Sequence, residues 1–569
     1  MRKVTKILFK LLSATLLLLI TLPVLLSLLL SFPSIQNRVV RYAADFATEQ
    51  LGARVSFDRI TVGMLNRVKV RGFYVEDFAR DTMLYVGSVT AYLGGLSNLS
   101  EGLVINAGRV EDAKFILRET PRGTMNVKEV VDRISRRKGS KFKLLLRSAD
   151  AHNISFRLDR LEKRPVERGV DYGDMRIENI NAHIDNFYVD AGAVGGMVTS
   201  LDFTERSGFV LDNLSAAFHV DRGLISLKNV TVEAEDTALT IPSFSLTADG
   251  WEPYRDFINK VRIDCEVVDS RTSSRAVGYF APNMRSWDTA LSEATASMHG
   301  TVADFTGEVK HVRLEDGGSL CAKASVKGLI DIPRTTFDVT LTELDATTPE
   351  VVRLVRNIAR LNISEKILPY LDRTERVRVE GRFAGRIADF TAAATVGLGS
   401  GGVLAAGCDY ADKGGVRDVS ATLTAQSLSL ARLLGSSKLG DASFKVDADA
   451  VIGEKLSSAE VSGRIDRLSY LAHAYRNVSF EGGYADEQMQ LAVDSQDEAL
   501  RAMVKAVADL SDEEHPACVA DVEIERADLC AMNINRRDSV SHLKASVGVT
   551  VVGRTLDELN GEGTIANAL

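Results

Sequence analysis

The sequence predicts a mainly β fold: an N-terminal transmembrane helix, then an elongated, repetitive antiparallel β-sheet curled into an apolar groove, with few short helices. Three observations predict it. An uncharged apolar run stands near the N-terminus, alternating strand patterns fill most of the 569 residues, and similar blocks recur in the later half.

The first element is Leu11 to Leu30, which carries no charge and follows Arg2, Lys3, Lys6 and Lys10. Twenty helical residues rise about 30 Å, the hydrocarbon thickness of a bilayer. Leu11, Leu16, Leu19, Leu25 and Leu30 stand as the membrane anchor, with the cations on the cytoplasmic side. The run is longer than a signal-peptide core, and no small-x-small cleavage site follows it. A retained anchor is expected. An amphipathic helix comes next, with Ile35, Val39, Tyr42 and Phe46 at helical spacing and Gly52 as its stop,.

The period then changes to two. Ile154, Phe156 and Leu158 alternate with Ser155, Arg157 and Asp159, and the pattern returns around Phe218 and Val220, Phe244 and Leu246, Val339 and Leu341, Met489 to Val493, and Ala545 to Val551. Such strands have one apolar and one polar face. Short connections such as Asp221-Arg222-Gly223, Asp316-Gly317-Gly318 and Lys413-Gly414-Gly415 predict successive antiparallel hairpins,. At Asn229 the alternation slips by one, and a bulge there restores the apolar face. Beyond these, helices are expected to be few, with segments at Asn126–Arg137, from Thr348 to about Arg360, and at Leu430–Leu434,. Gly300, Gly381 and Gly463 open similar blocks with a period of about 82 residues, which predicts stacked supersecondary units,. The chain thus reads as 1–33, basic tip and anchor; 34–298, a first β-groove region; and 299–569, repeated blocks.

Composition excludes several classes. The net charge of −8 gives no basic face for nucleic acid,. The five cysteines form no C-x-x-C and read as small apolar residues, although Cys518 and Cys530 lie close enough in sequence to pair,. Gly397–Gly402 matches G-x-G-x-x-G, but the segment after it reads as strand where a dinucleotide site needs a helix. The histidines form no metal motif, His299 and His311 falling on separate strands, and no nucleophile elbow is present. No catalytic residue, cofactor or metal is assigned. The sequons at Asn153, Asn213, Asn229 and Asn477 read as turn residues before strands. The basic run from Arg133 to Lys143 reads as a solvated helix end, with anionic headgroups as the functional alternative.

One-faced strands must bury their apolar side against a second sheet, by barrel closure, or against a non-protein ligand. Similar strands running continuously favour a single trough, and acyl chains would fill it. Ile154, Phe156, Leu158, Phe218, Val220, Phe244, Leu246, Val339 and Leu341 are the candidate lining.

These residues resemble a known group. Ser31-Phe32-Pro33-Ser34, the Val39–Leu51 helix, Gly52-Ala53-Arg54-Val55, the run Val68–Asp77 and the Asn126-Val127-Lys128 helix after Leu117–Thr120 are together similar to the N-terminus of the AsmA-like superfamily, in particular its TamB-like branch of translocation and assembly module subunits. The similarity covers roughly the first 250 residues, a length of one or two domains. It implies a single-pass inner-membrane protein with a periplasmic β-groove that conducts phospholipid toward the outer membrane. It also implies a link to outer-membrane protein and autotransporter assembly through a barrel partner of the Omp85 type. Members of that branch run longer, so the chain is expected to be a piece of a larger protein. The expectations are ordered: a lipid-conducting groove, then a scaffold that templates strands by β-augmentation, then an extracellular sandwich array. An enzyme ranks last.

Overall fold

The computed structural model describes residues 32–63, 66–77, 79–94, 102–121, 123–128, 143–161, 168–190, 192–359, 376–512, 515–535, 537, 540–553 and 560–568. The anchor positions Leu11, Leu16, Leu19, Leu25 and Leu30 lie outside them. Among the described residues no helix is long and apolar enough to cross a membrane. The protein is mainly β, and the chain divides into two compact units, Met1–Thr301 and Val302–Leu569.

The first unit opens with helix α1, Pro33–Leu51. Pro33 occupies the first turn, where its missing N–H costs nothing. Gly52 closes the helix at φ 66°, donating its N–H to the Thr48 carbonyl at 2.7 Å. The expected apolar stripe does not face the protein: Ile35, Tyr42 and Phe46 are exposed, Tyr42 at 77%. Ala47 instead meets the cluster of Ala53, Val55, Val75 and Met83. Periodicity locates a helix, but the small residues on its other side are what permit close approach to the sheet.

The strands of this unit are β1 (Val55–Ser56), β2 (Arg59–Val62), β3 (Arg67–Glu76), β4 (Thr82–Leu93), β5 (Leu103–Arg118), β6 (Leu144–Asp159), β7 (Asp174–Asp190), β8 (Ala193–Glu205), β9 (Val210–Leu211), β10 (Asn213–Asp221), β11 (Leu224–Ala234), β12 (Thr237–Thr247), β13 (Arg262–Ser273) and β14 (Ala290–Gly300). β1 and β2 share one side of β3, and β9 and β10 share one side of β8. The other neighbours are antiparallel and consecutive, except that β5 and β6 run parallel. That pair departs from the all-antiparallel expectation. Parallel neighbours need a long crossover, and the connection between Arg118 and Leu144 supplies it, with helical residues at Asn126–Lys128. The remainder of the expected Asn126–Arg137 helix, and the basic run up to Lys141, lie outside the described residues. Lys143 pairs with Asp190 at 3.0 Å.

The second unit holds β15 (Asp304–Leu314), β16 (Ser319–Lys327), β17 (Thr336–Thr347), β18 (Arg376–Arg386), β19 (Asp389–Gly397), β20 (Val403–Lys413), β21 (Val416–Ser429), β22 (Leu439–Ile452), β23 (Leu456–Tyr470), β24 (His473–Tyr475), β25 (Val478–Ala485), β26 (Gln488–Gln496), β27 (Leu500–Asp509), β28 (Ala517–Asp528), β29 (His542–Val552) and β30 (Asn560–Ala568). Each pairs antiparallel with the next, β24 and β25 sharing one side of β23. The helices at Thr348–Leu354 and Leu430–Leu434 follow β17 and β21. A wider turn extends the first of them to Ala359. Gly381 lies on β18 but Gly463 lies on β23 rather than on β22, the first strand after the second helix. The third block is therefore one strand out of step: a residue period does not count strands when strand lengths vary.

Turn chemistry explains the hairpins. Arg222 and Gly223 carry φ of 39° and 89°, and Gly414 and Gly415 carry 70° and 94°. Positive φ at both central positions gives the turn whose twist matches its strands. Asn229 has φ 51° inside β11, where Ser215–Ala217 of β10 faces the longer stretch Lys228–Thr231. This is the expected bulge. The other sequon residues divide: Asn213 starts β10, Asn477 precedes β25, and Asn153 sits within β6 at φ 56°. Asn153 and Asn229 are thus bulge residues inside strands, because Asn tolerates the left-handed conformation. Buried apolar clusters are small and gather at strand ends, such as Val377, Leu398, Ala425 and Leu428 beneath Leu430 and Leu433.

Candidate functional site

In the second unit the strand register turns alternation into continuous files. Leu341 opposes Gly381, which opposes Ala394, then Ala406, Leu423 and Val446. The file continues through Gly463, Phe480, Val493, Val504, Val522 and Val547 to Ile565. In the other direction it reaches Ala322 and Val309. No member has a polar side chain. Two residues along each strand a parallel file runs through Val339, Phe383, Ala392, Cys408, Ala421 and Ala448, and beyond it Phe337, Phe390 and Tyr410 begin a third.

Many of the intervening residues are polar, and several of them bind one another on the opposite face. Arg382 holds Asp338 at 3.0 Å, Thr422 donates to Asp447 at 2.8 Å, and Lys445 pairs with Asp447 at 2.9 Å. Among the described residues the apolar face has no comparable covering. The members of the first two files are half-buried or exposed, and not one of them is buried. Strands lie about 4.8 Å apart and same-face side chains roughly 7 Å apart along a strand. Three such files across the unit therefore span on the order of 1,000 Å², beyond the few hundred Å² of apolar patch usual on a soluble monomer.

The face is not uniform. Between β17 and β20 it sinks into an open hollow of about 360 Å³, lined by Val339, Leu341, Phe383, Ala394, Ala406 and Cys408 among others. Small residues make the floor. A ladder of rings borders it: Phe337 to Phe383 at 6.5 Å, Phe383 to Phe390 at 4.9 Å, and Phe390 stacked on Tyr410 at 5.1 Å.

The first unit repeats the arrangement. Val70, Val89, Val110, Ala151, Ala182 and Leu201 oppose one another in turn, and the parallel β5–β6 pair does not interrupt them. Phe218 opposes Leu227, then Phe244, Cys265 and Met298. The candidate residues fall on this face: Ile154 opposite Ile180, Phe156 against Phe115 at 6.0 Å between ring centroids, and Leu158 opposite Met175. Val220 opposes Ile225, which opposes Leu246. All of them, with Val339 and Leu341, are half-buried.

The chain matches no family model, no curated protein and no solved structure. What the face can do follows from its own geometry.

One polar cluster resembles hydrolytic machinery. Ser148 Oγ lies 3.3 Å from His183 Nε2, and His183 Nδ1 lies 2.7 Å from Asp150. Asp185 also approaches Nε2, at 3.2 Å. The hydrogen bond to Asp150 and the charge of Asp185 raise the His183 pKa above its ordinary value. When protonated, Nε2 donates its N–H toward Asp185 and Ser148 and cannot accept the serine proton,. The cluster is better suited to tying strands than to making a nucleophile. Among the described residues no group of three or more His, Cys, Asp or Glu side chains is placed to hold a metal. The five cysteines are free and half-buried rather than buried, with Cys265, Cys408 and Cys518 on the apolar face.

Sequence reasoning missed Gly381, Ala394, Ala406 and Phe383. Alternation alone marks which residues share a face. It does not say which strand opposes which, and the hollow exists only once small residues on successive strands come into register.

Proposed function

We propose that this protein conducts phospholipid along its apolar face as an inner-membrane-anchored periplasmic subunit, delivering it toward the outer membrane. The single observation that carries the reading is the file from Val309 to Ile565, apolar at every step and left uncovered by the described residues. Each buried CH₂ is worth about 0.8 kcal/mol, so even half-immersed acyl chains are held by several kcal/mol without a catalytic group. Files of Val, Leu, Ala and Gly present similar neighbours at each strand, so a chain can shift sideways without leaving one deep trap. The Leu11–Leu30 run supplies the tether in this reading, and the AsmA-like resemblance of the N-terminal region supports it.

The test uses the two faces of one strand. The full chain carries a photoreactive residue at Leu423, on the file, or at its neighbour Thr422, on the polar side. Illumination in cells is expected to attach phospholipid at Leu423 and not at Thr422. Attachment of an outer-membrane polypeptide at Leu423 in place of lipid would favour the scaffold role. Equal labelling at the two positions would sink both.

A further inference from the structure

We infer that the first unit carries a binding pocket for the phosphate of an anionic lipid headgroup, a proposal that rests on the lipid-conducting reading and names the part of the lipid it recognises. An open pocket of about 380 Å³ is lined by Arg168, Asp171, Glu205, Arg206, Ser207 and Arg285, with the Gly169 backbone. It lies where the start of β7, the end of β8 and the turn at Pro282–Trp287 meet, and Val170 N–H is fixed to the Tyr279 carbonyl at 2.7 Å.

The three guanidinium groups are not equivalent. Arg206 is held by Asp174 at 2.7 Å and Asp171 at 3.5 Å. Glu205 is buried, and its carboxylate accepts the Ser207 amide at 2.6 Å and the Arg176 amide at 3.4 Å. The acidic groups are thus already engaged. Among the described residues Arg168 and Arg285 have no carboxylate partner, and the buried Ser207 hydroxyl has no hydrogen-bond partner. Two guanidiniums without a carboxylate partner and a hydroxyl match the acceptor oxygens of a phosphate, which arginine binds in bidentate fashion.

The pocket's position relates it to lipid. Arg285 lies over the Tyr279 ring at 5.1 Å. Tyr279 packs on Phe209 at 5.6 Å, and Phe209 packs on Phe203 at 6.1 Å. Phe203 is two residues beyond Leu201 on β8, on the same face as the apolar file. A bound phosphate would therefore sit at the polar end of an aromatic bridge whose other end reaches the acyl-binding face.

The experiment uses the full chain with photoreactive residues at Phe203 and, separately, at Leu423. Phosphatidylglycerol and diacylglycerol, matched in acyl chain, compete for each position. At Phe203 phosphatidylglycerol is expected to win by roughly tenfold or more, the scale of a charge-assisted contact. Arg168→Glu with Arg285→Glu is expected to abolish that preference, and Arg168→Lys with Arg285→Lys to retain part of it, a check that charge and not folding is lost. A preference that survives the charge reversal overturns the pocket. Displacement of the lipid by an equal concentration of glycerol 3-phosphate would assign the pocket to a soluble phosphate and also overturn it. Labelling absent at Leu423 but headgroup-selective at Phe203 would reject the conducting face and leave the pocket standing.

Discussion

His183 bridges Asp150 and Asp185 across strands β6 and β7. Its pKa is raised first by the hydrogen bond to Asp150, while the same bond lowers that of Asp150. The groups around the imidazole are Ser148 and Asp150 on β6, Arg109 paired to Asp150 from β5, Asp185 on its own strand and Ser200 opposite it on β8. A histidine whose folded pKa exceeds the unfolded value stabilises the fold fully below about pH 6.5, and that contribution is lost as pH rises through the folded value. The pair is part-exposed, so the contribution is at most about 1 kcal/mol. Carbon-detected histidine resonances, assigned with His183→Gln, are expected to titrate above the unfolded midpoint. A midpoint at or below it would mean that the bridge does not hold the proton. None of this was visible in sequence: His183 and Asp150 share a site only because β6 and β7 pair in one particular register.

The elements are joined by a few strategic side chains. Glu350 lies in the first turn of the Thr348–Leu354 helix and is buried. Its carboxylate accepts the Asp316 amide at 2.8 Å and the Thr347 amide at 3.4 Å, tying the β15–β16 turn to the helix that follows β17. Glu350→Ala leaves those donors unpaired and is expected to cost about 2 kcal/mol, since bonds to charged groups are worth about 1.5–3 kcal/mol. Hydrogen exchange at Asp316 and at the first helical turn should accelerate. Unchanged protection there would show that the tie is not formed. Strand existence, the two-residue turns and the bulge at Asn229 were legible in sequence because each is a local matter of alternation and positive φ. The parallel β5–β6 pair and the outward stripe of helix α1 were not, since each depends on a partner distant in the chain.

For the whole molecule, the apolar face was legible as a class of surface but not as a path. Phe156 and Phe244 could be assigned to a strand face from their neighbours. That Phe244 continues through Cys265 to Met298 required the register. If the face conducts lipid, charge placed on it should block transport without preventing membrane insertion. In cells lacking the protein, the Phe156→Glu and Phe244→Glu double variant is expected to reach normal levels yet leave the outer membrane permeable to detergent and large antibiotics. Full restoration of the barrier by this variant would count against the assignment.

Nearly every strand bonds to the strand just before it and the one just after it, and hairpin loops make most of the connections. Contacts of this kind close short loops and cost little chain entropy. They also make the molecule divisible. Removing or duplicating one antiparallel pair returns the chain to the same direction, on the same face, beside an equivalent neighbour. The span covered by the apolar file can therefore be reset two strands at a time by copying or deleting hairpins, with no residue outside the copied pair having to change.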